Sequence, residues 1–185
     1  MLFMNFLKRN LTKLICFFTL VFSLNIIFVK TSYSNEWWHS KIANPYLIGE
    51  GVLKVFIWDV YILRLFSETK SFNLNQPIVL EFEYLRDISK KSVIKASMEE
   101  LRKKNISKGK LLIWKKHLKD AISDMKKGEK AALFWEPSKQ ITFYVKGGLE
   151  KLIEDKEFAD AYINIWIGEN TSRPKLRKRI IGLIK

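Results

Sequence analysis

Val52-Leu53-Lys54-Val55-Phe56-Ile57-Trp58-Asp59-Val60-Tyr61-Ile62-Leu63-Arg64-Leu65-Phe66 is dense in β-branched and aromatic residues. It follows Gly49-Glu50-Gly51, a turn signal, and predicts one long strand or two in succession. Read as one strand, it places Phe56, Trp58 and Val60 on one face and Val55, Ile57, Asp59 and Tyr61 on the other. A strand apolar on both faces must be covered on both, by helices on one side and by something else on the other.

Downstream, Ile78 to Leu85 (IVLEFEYL) alternates apolar with acidic residues, as a strand with one wet face does. The period then changes. Ser92 to Lys104 predicts a helix capped by Ser92, with Val93, Ala96, Met98 and Leu101 near helical spacing. A second helix is expected from Lys108 to Met125, capped by Ser107, with Leu111, Leu112, Trp114, Leu118, Ala121 and Ile122 on its buried side. Ala131 to Trp135 and Ile141 to Val145 flank Glu136-Pro137-Ser138-Lys139-Gln140 as a hairpin closed by Gly147-Gly148. Asp155 caps a helix that stops at Gly168, and a last helix starts between Ser172 and Pro174. Strands, two helices, a hairpin and two more helices argue for an α+β domain: an antiparallel sheet with helices on one side.

Upstream, residues 1–34 hold four basic residues (Lys8, Arg9, Lys13, Lys30) and no acidic one. An apolar run from Leu14 to Val29 is followed by small residues at Ser32 and Ser34. That is the pattern of a cleavable secretory signal peptide, shorter and more polar than a spanning helix. The expected organisation is therefore a signal peptide at 1–34 and one domain at 35–185, periplasmic or secreted. Cys16 leaves with the signal, so the domain can hold neither disulfides nor cysteine-based zinc sites.

The chain carries 33 basic and 19 acidic residues, a net charge of +14. From Asn35 onward 29 basic residues face 19 acidic ones, a net +10. The basic residues are spread along the chain and lysine dominates, which argues against nucleic acid as a partner and leaves weak contact with an anionic membrane surface open. Catalytic patterns are absent. His39 and His117 have no ligand spacing, and His117 reads as a solvated helix residue. Gly49-Glu50-Gly51 lacks the rest of a phosphate loop, and there is no G-x-S-x-G elbow. No metal and no cofactor are expected.

Four ordered blocks carry a resemblance that spans nearly all of the chain after residue 34. The first is Ile48 to Tyr61, the second Leu80 to Ile88, and the third Phe143-Tyr144 with Gly147. The last runs from Ile153-Glu154-Asp155 through Ile165-Trp166-Ile167-Gly168 to Pro174-Lys175-Leu176-Arg177. Together they resemble the chalcone isomerase-like family, nearest to its exported bacterial branch. The resemblance implies an open-faced β-sandwich, in which a curved antiparallel sheet packs against a layer of helices. Chalcone isomerases close a flavanone ring with an arginine, two threonines, a tyrosine and an asparagine in their cleft. Those positions fall here near Asn44, at Phe56 and near Gly148, near Ser89, and near Ala96. Phe56 cannot donate a hydrogen bond to an enolate. Fatty-acid binding occurs in plant relatives of this fold. The expectation is thus a non-catalytic protein that binds a small apolar or amphipathic, fatty-acid-like ligand. Val55, Phe56 and Trp58 would line its cleft, and Lys54 would serve as anion partner. The alternative is an intramolecular lyase or isomerase that uses other cleft residues.

Overall fold

A computed structural model describes residues 38–184 other than 43, 138 and 146–148. The signal-peptide reading of residues 1–34 and the position of Gly148 lie outside the described residues. Six strands form one antiparallel sheet in sequential order: β1 (Tyr46–Val55), β2 (Trp58–Ser67), β3 (Ile78–Tyr84), β4 (Lys130–Glu136), β5 (Gln140–Val145) and β6 (Leu149–Ile153). Helices α1 (Lys90–Arg102) and α2 (Lys108–Ala121) lie between β3 and β4; α3 (Lys156–Ile163) and α4 (Pro174–Ile180) follow β6. No described helix is long and apolar enough to cross a membrane.

The run 52–66 is two strands joined by a two-residue loop. Val55 pairs with Trp58, which leaves Phe56 and Ile57 at the turn. Such short loops need positive φ to match strand twist, and Phe56 supplies it at φ 53°, a conformation usually left to glycine. Because the chain reverses there, Phe56 does not share a strand face with Trp58. Gly49 and Gly51 form no turn; both lie inside β1. A Cβ on Gly49 would stand 2.1 Å from the Arg179 carbonyl oxygen, and one on Gly51 2.7 Å from Leu176 Cδ1. The glycines are there so that α4 can lie directly on the strand backbone.

Helix starts follow the sequence closely. The Ser89 side chain accepts from Ser92 N at 3.2 Å, so Ser89 rather than Ser92 caps α1. Ser107 and Asp155 cap α2 and α3. Helix α2 ends at Ala121, before the expected Met125, because Met125 exchanges backbone hydrogen bonds with Ile88 at 2.8 and 2.9 Å. Leu112, expected inside, is 71% exposed, whereas Trp114, Leu118 and Ala121 are buried. β6 was not anticipated: it pairs with β5 from Ile141↔Ile153 to Val145↔Leu149 and forms a sheet edge.

The sheet is covered on both faces. Leu63, Leu80, Phe82, Leu133 and Phe143 meet all four helices in the larger core. On the opposite face Phe66, Val79, Ala132, Phe134 and Tyr144 are covered by Trp38 and Ile42, which flank a 3-10 turn at His39–Lys41. Glu81, expected on a wet face, is only 2% exposed beneath this strap. It accepts from Trp38 Nε1 at 3.3 Å and lies 3.3 Å from both Arg64 Nη1 and Lys130 Nζ. Arg64 also bonds Glu83 at 2.8 Å and Glu50 at 3.0 Å. A buried carboxylate is tolerable only when paired in this way.

Gly49→Ala should force α4 off β1 and destabilise the fold by about 1–3 kcal/mol, the range for overpacking. Gly109→Ala in α2, where an added Cβ meets nothing within 4 Å, should be neutral or stabilising by up to about 1 kcal/mol. Urea denaturation midpoints of the two variants check the contrast.

Candidate functional site

The helix layer does not fill the space above the sheet. Between α1, α3 and the strands lies a cavity of about 520 Å³, within the ~300–1,000 Å³ common for small-ligand sites. Alternation along the strands supplies its floor, with Tyr61 from β2, Phe82 and Tyr84 from β3, Leu133 from β4 and Phe143 from β5. Helix spacing supplies its roof: Val93 and Ser97 project from one face of α1, and Tyr162 and Trp166, four residues apart, come from α3 and the turn after it. Small side chains at Ala96, Ser97 and Ala131 keep the space open.

The aromatic wall is locked. Phe82 packs edge-on against Tyr61 at 5.1 Å and Trp166 at 5.2 Å, and Tyr162 meets Trp166 at 5.3 Å. Trp166 Nε1 donates to the Tyr61 hydroxyl at 2.9 Å, and the Ser97 and Tyr162 hydroxyls are 3.2 Å apart. Those polar groups therefore satisfy one another inside an apolar surface. Tyr84 is the exception, since its hydroxyl bonds to no side chain or backbone group among the described residues, leaving a donor for an incoming group.

Burial raises the pKa of all three phenols. Tyr84 is pushed up to about 12. Tyr61 and Tyr162 are pushed higher still, although the Trp166 N–H and the Arg173 charge oppose the rise at Tyr61 and the Ser97 hydroxyl opposes it at Tyr162. At neutral pH the cavity presents neutral hydrogen-bond donors. Two guanidinium groups border it. Arg86 sits over the Trp58 ring at 4.4 Å, and Arg173 lies close enough to act on Tyr61. Neither has a carboxylate partner among the described residues. Glu99 and Glu100 also border the cavity, and Glu100 is paired with Lys103 at 2.6 Å. No group of three or more acidic, histidine or cysteine side chains suited to a metal occurs among the described residues.

The residues singled out from sequence divide. Val55 and Trp58 line the cavity at its β1–β2 end. Lys54 is exposed and held by Asp59 at 3.0 Å, and Phe56 is 96% exposed at the loop, outside the lining. Of the positions matched to isomerase groups, Ala96 borders the cavity, Ser89 is a helix cap, and Asn44 is an exposed residue before β1 with φ 52°. His117 is half-buried rather than solvated, with Nε2 3.6 Å from Asp155 and its ring edge-on to Phe158. Sequence reasoning missed Tyr84, Tyr162 and Trp166. The signals were present: Phe82 and Tyr84 alternate with Glu81 and Glu83, and Tyr162 and Trp166 stand at helical spacing.

A model of the chalcone isomerase-like family matches residues 36–182. An uncharacterized protein of Haemophilus influenzae is 25% identical over 129 residues, 69% of this chain; the match spans 63% of that relative's length. The crystal structure of a fatty-acid binding protein from Arabidopsis thaliana superposes with a TM-score of 0.59 at 13% identity, over 76% of this chain and 88% of that one. At that identity the likeness speaks for the fold: an open antiparallel sheet backed by helices.

Below about pH 10, the ordinary phenol pKa, the cavity tyrosines are protonated in folded and unfolded chains alike. Above it the unfolded chain ionises and the folded one does not, so stability should fall as pH rises from about 10 toward 12. Urea midpoints at about pH 9 and pH 11 should differ accordingly, and Tyr84→Phe should reduce the difference.

Proposed function

Because the chain belongs to the chalcone isomerase-like family, we propose that it is a non-catalytic, exported protein that binds a fatty-acid-like ligand between its sheet and its helices. The observation that carries this reading is the cavity itself, with an aromatic wall and protonated phenols inside and charged side chains only at its border. An alkyl chain gains by leaving water for such a surface at roughly 25 cal/mol per Å² buried. The Tyr84 hydroxyl offers a hydrogen bond, and Arg173 offers the charge for a carboxylate head group. Arg173 takes the role that sequence reading gave to Lys54, whose ammonium is already engaged by Asp59. The fatty-acid binding protein of Arabidopsis supports a chain-like ligand on this scaffold. The basic, apolar and small-residue pattern of residues 1–34 supports export.

Ring closure of a chalcone requires donors aimed at an enolate. The sequence positions that would supply them hold Phe56 at an exposed loop and Ala96 at the cavity border. That favours binding over isomerisation.

Delipidated protein should bind cis-parinaric acid with a rise in its fluorescence. Val93→Trp, which fills the cavity from α1, should weaken binding by roughly tenfold or more, equal to about 1.4 kcal/mol. Arg173→Gln should weaken binding of a fatty acid and leave binding of the matching fatty alcohol unchanged. A wild-type protein that binds neither, or a Val93→Trp variant that binds as well, would overturn the cavity reading. Export predicts that the protein recovered from expressing cells begins near Asn35; an intact N-terminus would contradict it.

A further inference from the structure

The β1–β2 loop is an apolar tip beside the cavity mouth. Phe56 is 96% exposed, Ile57 83% and Trp58 55%. Three consecutive large apolar residues held out in water need a reason, and this turn also forces Phe56 into a backbone region that glycine prefers. The two residues that follow and precede the loop, Trp58 and Val55, line the cavity. An apolar path therefore runs from the tip inward.

Carboxylates at this end of the sheet are engaged: Asp124 and Glu129 accept from the backbone N–H groups of Lys90 and Lys126. Asp59 is paired with Lys54 at 3.0 Å, and Asp87 with Lys126 at 2.9 Å. Arg86, over the Trp58 ring, and Lys127, whose backbone N–H bonds Asp87, have no carboxylate partner for their side chains among the described residues. Both stand at the same end of the sheet as the tip, since Leu85 N bonds Val60 O at 3.0 Å. An aromatic wedge flanked by cations without carboxylate partners, on a domain of net charge +10 from Asn35 onward, matches an anionic lipid surface: rings enter the interfacial layer and cations meet head groups.

We propose that the Phe56–Ile57–Trp58 tip inserts into the surface of an anionic bilayer and sets the cavity mouth against it, so that the ligand enters and leaves through the membrane face. This rests on the cavity reading above and adds the route by which the cavity is loaded. The wedge needs only a shallow apolar contact, within the ~5–10 Å that interfacial elements reach.

Co-sedimentation with vesicles of phosphatidylglycerol and phosphatidylethanolamine, compared with phosphatidylcholine vesicles, tests it. Wild type should bind the anionic vesicles preferentially, and Phe56→Ser/Ile57→Ser should lower the partition coefficient by roughly tenfold or more. Phe56→Gly should also bind vesicles less while raising the urea midpoint, because glycine relaxes the turn; loss of binding in a more stable variant cannot come from misfolding. Fatty-acid binding in the absence of vesicles should be unchanged in these variants, and transfer from vesicles to protein should slow. Equal vesicle binding by wild type and variants, absent binding by wild type, or tip-dependent self-association in place of vesicle binding would overturn the proposal. Failure of wild type to bind fatty acid in solution would instead strike the cavity reading, since vesicle binding is scored separately.

Discussion

The central strands of this sheet carry apolar side chains on both faces, and neither face can be left to water. Leu63 and Leu65 point one way from β2 while Phe66 points the other; Leu133 and Phe134 divide β4 in the same fashion. Four helices cover the first face. The second is covered by a short strap whose Trp38 ring packs on Phe66 at 4.8 Å. The strap lies over Glu81, and the carboxylate stays buried because an indole N–H, a guanidinium and an ammonium all reach it. The two-sided sheet thus dictates the position of every other element, including the charged cluster beneath the strap.

The two covers differ in completeness. The strap side closes over a small apolar cluster, whereas the helix side leaves a cavity where Ala96, Ser97 and Ala131 face large aromatic neighbours. Protein interiors are ordinarily packed to the density of organic crystals, so a space of this size has to be held open by its walls. Ring contacts among Tyr61, Phe82, Tyr162 and Trp166, tied by the Trp166–Tyr61 and Ser97–Tyr162 bonds, make those walls too stiff to collapse inward. The same stiffness keeps the phenols buried and un-ionised, which suits a site for an apolar chain.

Much of this was legible in the chain. Hydrophobic periodicity located β2 to β5 and the four helices, and side-chain caps at Ser107 and Asp155 fixed two helix starts. What escaped was set by partners distant in sequence. Gly49 and Gly51 read as a turn until α4 is laid upon them. The Phe56–Ile57 loop contains no residue that favours turning, and only the pairing of Val55 with Trp58 reveals it. Glu81 looks solvent-facing until Trp38 is placed above it, and β6 is a short mixed run that becomes a strand by pairing with β5. The candidate site suffered in the same way: Val55 and Trp58 were found from one strand alone, while the wall they join is assembled from four other segments.

The seating of α4 on β1 joins two segments more than a hundred residues apart in the sequence. During synthesis, β1 and β2 emerge more than a hundred residues before Leu176 and Ile180 can cover them. Until then the nascent hairpin presents a bare backbone stripe and a row of aromatic side chains. Local pairing can form it early, but its lid arrives only with α4. A polypeptide built this way stays incompletely locked until α4 has been made, and loss of that helix would return it to the open state.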